Sequence, residues 1–144
     1  MTTAQHLAAI DLLRGRAFPA RRGPSELGDS GPGYHLARLA PAAETPHPYV
    51  IREEDAAEQC RAECEALADA LSTRWGPTQP VSLWSVSVRS VAGEAIPHPW
   101  DELSHLTDDV HLWHVDGHWI AVGVARADEL RWELLAVVTE TDPP

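Results

Sequence analysis

The sequence predicts an α+β fold in which a long helix packs on an antiparallel sheet. Apolar residues recur at helical spacing between about residues 56 and 75, and this period predicts the helix. Asp116-Gly117 separates two runs rich in Trp and Val, and this dipeptide favours the positive φ angles of a two-residue hairpin turn. A further apolar run follows at 130–138. The last three runs therefore predict a C-terminal three-stranded meander over about residues 110–139.

The length of the chain favours a single domain over residues 1–144, because 144 residues can bury one substantial core without a metal or a disulfide. No apolar run is long enough to span a membrane, and the first residues lack the basic flank and apolar stretch of a signal peptide. We therefore expect a cytoplasmic protein that does not contact membranes.

The N-terminal third predicts less regular structure than the remainder. Residues 3–14 form an amphipathic pattern that ends at Gly15, which predicts a short helix. A segment rich in Pro, Gly and Arg follows at about 15–33 and is interpreted as irregular. Residues 34–39 and 47–52 are short strand candidates on either side of a Pro-rich stretch.

The predicted long helix carries signals at both of its ends. Asp55 followed by Glu58 resembles a capping box, while Gly76-Pro77 supplies a terminating glycine and a helix breaker. The apolar positions share one side of the helix, and this side is predicted to lie on the sheet. These positions are Ala57, Cys60, Cys64, Leu67, Ala68, Leu71 and Trp75.

The remaining sheet is predicted from alternation and from apolar runs. Residues 81–91 alternate between apolar and polar side chains and predict a half-solvated strand, and 97–106 predicts a crossing loop with a short helix. The strands of the meander are predicted at 110–115, 118–126 and 130–139. The last two are apolar on both faces, so they are either central and covered on both sides or part of a dimer contact.

Composition excludes several kinds of chemistry. The chain has no Lys and no Asn, and all eleven basic residues are Arg, as expected of a GC-rich and hence bacterial genome. A Schiff-base lysine and a phosphate-binding loop lysine are therefore excluded. Cys60 and Cys64 share one helix face in a geometry unsuited to a disulfide, so we interpret them as reduced core thiols.

The charge of the chain is negative and unevenly distributed. The formal net charge is −11, but residues 1–22 carry +3, which leaves −14 on residues 23–144. This field repels nucleic-acid backbones and favours a cationic partner, although acidic surfaces also simply keep proteins soluble. We expect a cationic protein partner and no nucleic acid.

The predicted helix also points to a partner-binding face. Glu65 and Asp69 form a like-charge pair one turn apart, which costs about 0.2–0.5 kcal/mol on an isolated helix and is consistent with a cationic surface docking there. Glu58 lies on the same polar side, and Trp119 is the tryptophan most expected to be exposed, because it faces away from core residue Trp113. These four acidic and aromatic residues are the predicted partner-binding set: Glu58, Glu65, Asp69 and Trp119.

Five of the eight histidines fall between residues 98 and 118, which raises a metal site as the alternative. In the predicted hairpin register His114 and His118 face opposite sides, and His111 lies about 13 Å from His118. The surviving arrangement joins His98 or His105 to one of His111 or His114 and an aspartate (Asp108, Asp109 or Asp116). It would form a small metal-dependent hydrolase.

Gly28-Asp29-Ser30-Gly31 resembles the segment around the nucleophile of chymotrypsin-like serine proteases. Pro32 stands where that family has a further glycine, and the chain is too short for two β-barrels, so Ser30 is interpreted as a loop serine. The residues therefore predict a non-enzymatic, cofactor-free protein-binding module of the immunity-protein class. A structural homodimer formed through the C-terminal sheet is the third hypothesis.

Overall fold

The computed structural model describes residues 2–39, 53–126 and 132–144. These residues form a seven-stranded antiparallel sheet with helices on both of its faces, which confirms the predicted α+β class. No described helix combines the length and the apolar character needed to cross a membrane.

The described residues form four helices and seven strands, numbered in chain order. The helices are α1 (Thr3–Gly15), α2 (Glu53–Trp75), α3 (Trp84–Val91) and α4 (Trp100–Leu106). The strands are β1 (Gly23–Pro24), β2 (Gly28–Gly31), β3 (Tyr34–Leu39), β4 (Gln79–Ser82), β5 (Asp109–Val115), β6 (His118–Arg126) and β7 (Trp132–Thr139). Their order in the sheet is β1-β2-β3-β7-β6-β5-β4.

The predicted long helix is confirmed as α2, and its apolar side packs on the sheet as expected. Together with α1 it covers what we call the first face of the sheet, where Leu67 and Leu71 of α2 meet Ile120 and Leu134 of the strands. The helix begins at Glu53, two residues before Asp55. Asp55 therefore lies in the first turn and not at the capping position that the sequence predicted.

The opposite, second face of the sheet is covered by α3 and α4. Trp100 and Leu103 of α4 pack with Val86 of α3 against strand residues that include Val137. Because both faces are covered, β6 and β7 are apolar on both sides, as central strands are. Burial of the second face therefore needs no second copy of the chain.

The hairpin between β5 and β6 has the predicted register. Val115 pairs with His118 and His114 pairs with Trp119. Asp116 has a φ of 51° and Gly117 a φ of 80°, the left-handed conformations that a type I′ turn requires. The C-terminal meander of β5, β6 and β7 is confirmed.

The predicted strand over 81–91 is wrong. Residues 79–82 form the short edge strand β4, and residues 84–91 form helix α3. Trp84, Val86 and Val88 recur at strand spacing, whereas Trp84, Val88 and Val91 recur at helical spacing, so the segment fits both periods. In the helix, Val86 packs into the core of the second face, and this burial favours the helical conformation.

The segment predicted to be irregular over 15–33 contains the two short strands β1 and β2. They extend the sheet beyond β3, with Ser30 paired to His35 and Gly28 paired to Ala37. The strand predicted at 34–39 is confirmed as β3. The strand predicted at 47–52 lies outside the described residues.

Candidate partner-binding surface

The three predicted acidic residues of α2 lie on its exposed side. Glu58, Glu65 and Asp69 all face away from the core that α2 forms with the sheet. The Glu65 side chain is 69% exposed, and its Oε1 lies 3.5 Å from Nε2 of His111 on β5. The helix therefore presents acidic side chains beside the sheet.

Glu65 forms one wall of an open groove between α2 and the ends of the central strands. The groove has a volume of about 340 Å³, and its other walls include Asp108, Asp109 and His111. We call this feature the acidic groove and define it by these four residues. The register of the sheet builds it, because Asp109 opens β5 opposite Ser82 of β4.

The charge of the acidic groove is only partly balanced by the protein. Within the described residues Asp108 and Asp109 make no salt bridge, and both are exposed. Arg61 also lines the groove, but its guanidinium lies 5.6 Å from the ring centroid of Trp132. The carboxylates of the groove can therefore accept hydrogen bonds from a cationic group of another molecule.

An exposed tryptophan follows the residue whose backbone amide is bonded to the groove. The backbone amide of Leu83 donates a 2.7 Å hydrogen bond to the carbonyl of Asp108, which ties the start of α3 to the groove. The next residue, Trp84, is 68% exposed. Val88 and Val91 follow on the same side of α3 and are also exposed. We call Trp84, Val88 and Val91 the apolar stripe.

The prediction that Trp119 is the exposed tryptophan is wrong. Trp119 is half-buried: its ring stacks on His114 with centroids 4.2 Å apart, and its Nε1–H donates to Oδ1 of Asp142 at 2.9 Å. Among the described residues, Trp84 is instead the tryptophan with an exposed side chain. Trp113 is buried in the core of the first face, as predicted.

The histidines do not assemble the predicted metal site. His111 faces Glu65, His114 stacks on Trp119, and His118 contacts the ring of Phe18. His105 is exposed on α4. Among the described residues the set of three with metal-ligand spacing is Asp29, His98 and Glu102, which shares only His98 with the prediction.

Ser30 is a strand residue and not the loop residue that the sequence suggested. Its hydroxyl lies 2.7 Å from Nδ1 of His35, and both residues are buried. Nε2 of His35 lies 3.1 Å from the carbonyl oxygen of Arg16. A carbonyl can only accept, so Nε2 carries the proton, and Nδ1 accepts the hydroxyl proton of Ser30. The pair ties β2 and β3 to the segment after α1.

The two cysteines are free and buried, as predicted. Burial raises the pKa of the Cys60 thiol to about 11 and that of the Cys64 thiol to about 12, since both thiolates would lose their hydration. Neighbouring carboxylates act in the same direction. The thiols are therefore protonated near neutral pH, and they lack the lowered pKa of a nucleophilic or redox-active cysteine.

Sequence reasoning located the acidic residues of α2 but not the complete surface. Asp108 and Asp109 were considered only as metal ligands, and Trp84 was placed on a strand. The signal in the sequence was the doublet Asp108-Asp109 immediately before an apolar strand. Charged residues at the end of a strand face solvent, so they can lie beside the helix that covers that end.

Comparisons of the chain with protein families, with curated proteins and with solved structures return no match.

Proposed function

We propose that this chain is a non-enzymatic protein-binding module that recognises a cationic protein through the acidic groove and Trp84. The observation that carries the proposal is the combination of these two features: three carboxylates line a groove of about 340 Å³, and a tryptophan that is 68% exposed follows Leu83, whose backbone amide donates to the carbonyl of Asp108. Glu58 and Asp69 extend the negative charge along α2.

The two features contribute differently to binding. Covering the exposed two thirds of Trp84 removes about 130 Å² from water, which is worth about 3 kcal/mol. Each exposed ion pair with a groove carboxylate adds only about 0.2–1 kcal/mol. We therefore assign most of the affinity to Trp84, and we assign to Glu65, Asp108 and Asp109 the choice of a cationic partner and the rate of association.

The groove suits a side chain of a protein better than a large small-molecule ligand. Its volume of about 340 Å³ lies at the lower end of ligand pockets, and it is open to solvent along one side. An arginine side chain can place its guanidinium between carboxylates while its stem covers apolar atoms. Its planar fork also matches the geometry of a carboxylate pair.

The broader biological setting is also part of the proposal. The absence of Lys and Asn supports a bacterial origin, and the net charge of −11 supports a partner of opposite charge. A cytoplasmic immunity protein that neutralises a basic toxin combines these properties in a chain of this size. That assignment rests on likeness of class alone.

The proposed homodimer needs a different surface from the one that the sequence suggested. Helices α3 and α4 cover the second face of the sheet, so a second copy cannot pack directly on those strands. The apolar stripe of α3 is then the surface that a homodimer would use. Sedimentation of the wild-type chain over a range of concentrations separates this outcome from a monomer whose stripe binds another protein.

The proposal is tested with a synthetic peptide that carries Arg and Leu side chains, titrated by calorimetry at low and at physiological ionic strength. We expect D108N/D109N to weaken binding and to flatten its salt dependence. The matched control E26Q/E94Q removes the same charge elsewhere on the surface and should leave the affinity within about twofold of wild type. Equal losses in both double variants would reduce the effect to net charge and contradict a specific groove.

The contribution of Trp84 is tested separately. W84A should weaken binding of the same peptide by at least about tenfold, which is well below the loss that burial of the whole exposed ring would give. L12A removes another exposed apolar side chain, on α1, and should leave binding unchanged. Similar affinities for W84A and wild type would remove Trp84 from the proposed surface.

A further inference from the structure

A second polar cluster lies where β2 and β3 meet α4, away from the acidic groove. Asp29, His98 and Glu102 each offer one possible metal-ligand atom, and these three atoms lie within 4.8 Å of one another. The three residues come from β2, from the turn before α4 and from α4 itself. The fold therefore gathers one imidazole and two carboxylates from separate parts of the chain.

The imidazole of His98 is oriented by a neighbouring carboxylate. Its Nδ1 lies 2.8 Å from Oδ1 of Asp101, and because a carboxylate accepts, Nδ1 carries the donated proton. In the neutral ring the lone pair is then on Nε2. This atom is buried without a hydrogen-bond partner and lies 3.5 Å from Oε2 of Glu102. Two electron-rich atoms therefore face each other, an arrangement that a metal ion between them would stabilise.

The carboxylate of Asp29 is held in position as well. The hydroxyl of Tyr34 donates to Oδ2 of Asp29 at 2.9 Å, and the Tyr34 ring packs edge-on against the His98 ring with centroids 4.6 Å apart. Hydrogen bonds from outside the ligand set commonly fix the ligands of a metal in this way. Asp101 and Tyr34 provide such support for His98 and Asp29.

Arg22 now provides positive charge at this position. Its Nε lies 3.0 Å from Oδ2 of Asp29, and its Nη2 lies 3.0 Å from Oε2 of Glu102. The side chain of Arg22 is 57% exposed, so it can turn into solvent without opening the core. The guanidinium of Arg22 thus already bridges the two carboxylates, and its exposure to solvent allows it to be displaced.

We propose that Asp29, His98 and Glu102 form a site for a divalent transition-metal ion, with Arg22 as a counter-cation that the ion displaces. One imidazole nitrogen and two carboxylate oxygens are ligands that Zn²⁺ and Mn²⁺ accept, whereas Mg²⁺ prefers oxygen ligands alone. A doubly charged ion neutralises both carboxylates and takes up the Nε2 lone pair that Arg22 leaves without a partner. This site is independent of the proposed partner binding.

The role of Arg22 makes the proposal unusually testable, because removal of a side chain should strengthen binding. Zn²⁺ is titrated by calorimetry into the full chain after treatment with a chelator, and Mn²⁺ and Mg²⁺ are compared. We expect R22Q to bind Zn²⁺ about tenfold more tightly than wild type, the factor that loss of a competing charge-assisted hydrogen bond gives. R38Q is the matched control, since Arg38 pairs with Glu133 and with none of the three proposed ligands; it should bind as wild type does.

The ligands and the orienting carboxylate are tested in the R22Q background. Loss of Zn²⁺ binding is expected for E102Q and for H98A, and a reduction of about 10–100-fold for D101N, as for other residues that orient a ligating histidine. Dichroism spectra and thermal midpoints without metal establish that each variant folds; E102Q keeps the proposal testable if H98A does not. D108N/D109N should leave Zn²⁺ binding unchanged, which separates this site from the acidic groove.

The outcomes that overturn the proposal are specific. R22Q with the affinity of wild type would remove Arg22 as a competitor. Zn²⁺ affinity that persists in both H98A and E102Q would place the ion at other histidines and carboxylates. Native mass spectrometry then has to give one bound ion per R22Q chain and none per R22Q/E102Q chain; equal metal content in the two would also refute the site.

Discussion

Replacement of Ser30 by Ala is a direct test of the buried polar pair that joins β2, β3 and the segment after α1. Ser30 and His35 are 6% and 1% exposed, and the hydroxyl oxygen lies 2.7 Å from Nδ1 of His35. S30A leaves this nitrogen buried without a donor, because the other ring nitrogen is already bonded to the carbonyl of Arg16. An unsatisfied buried acceptor costs about 1–3 kcal/mol, so we expect a loss of about 2 kcal/mol in the free energy of unfolding.

Urea denaturation followed by tryptophan fluorescence measures this loss, and a thermal scan should show a fall of about 6 °C in Tm. S85A, which removes an exposed hydroxyl on α3, should change the free energy of unfolding by less than about 0.5 kcal/mol. The double variant S30A/H35L replaces both polar partners and should lose less than the sum of the two single changes. Equal stabilities of S30A and wild type, or a ¹⁵N spectrum with the proton of His35 on Nδ1, would refute the assigned hydrogen bonds.

Three further predictions concern other parts of the fold. Because burial raises the pKa of Cys60 and Cys64 to about 11 and about 12, a thiol reagent at pH 8 should label the native chain slowly and the denatured chain rapidly; rapid labelling of the native chain would contradict this burial. Burial and the bond to Asp29 raise the pKa of Tyr34 from 10.0 to about 12, so its contribution to stability is complete below pH 10 and is lost as pH rises through 12. Urea denaturation of wild type and Y34F across this range should show the loss only in wild type. Finally, G117A places a side chain at a φ of 80° and should cost about 1–2 kcal/mol, measured by thermal denaturation, with G15A as the open-site control.

The predictable elements of the fold have an apolar pattern that fits a single secondary-structure period, and residues that mark where the element ends. Helix α2 combines an apolar period with a terminating Gly76, and the hairpin at Asp116-Gly117 follows from the φ angles that its turn demands. In both cases the local preference agrees with the tertiary packing. Where local preference and tertiary packing agree, the structure can be predicted from the sequence.

Helix α3 was not predictable because its β-branched residues also fit a strand. Val86, Val88 and Val91 favour strands by intrinsic propensity, and Leu83 at the helix start offers no side-chain cap. Only Val86 is buried, in the core over the second face of the sheet. The helical choice is therefore made by tertiary packing that no local window contains.

The strands in the segment over 15–33 were hidden by glycine. A side chain at Gly28 would place its Cβ 2.3 Å from the carbonyl oxygen of Leu36, so the close approach of β2 to β3 requires glycine there. The same residue lowers the predicted strand propensity of the segment. A glycine that permits close strand contact and one that marks a flexible loop look alike in a single sequence.

The acidic side of α2 was predictable from spacing, but the groove was not. Glu65 and Asp109 are distant in sequence, and they become neighbours because α2 crosses the sheet over the start of β5. The backbone bond between Leu83 and Asp108 joins the start of α3, where Trp84 lies, to the same strand end. Such a surface depends on how elements are placed relative to one another, and periodicity within one element carries no information about it.

The most direct test of the proposed surface is a ¹⁵N NMR titration of the wild-type chain with the peptide of Arg and Leu side chains. The six tryptophan indole signals resolve the result by residue, once W84F identifies the signal of Trp84. We predict that the Trp84 indole and the backbone amides of Glu65, Asp108 and Asp109 shift together with one dissociation constant, while the indole of buried Trp100 does not move. Shifts confined to other surfaces, with the Trp84 indole unchanged at saturation, would contradict the account.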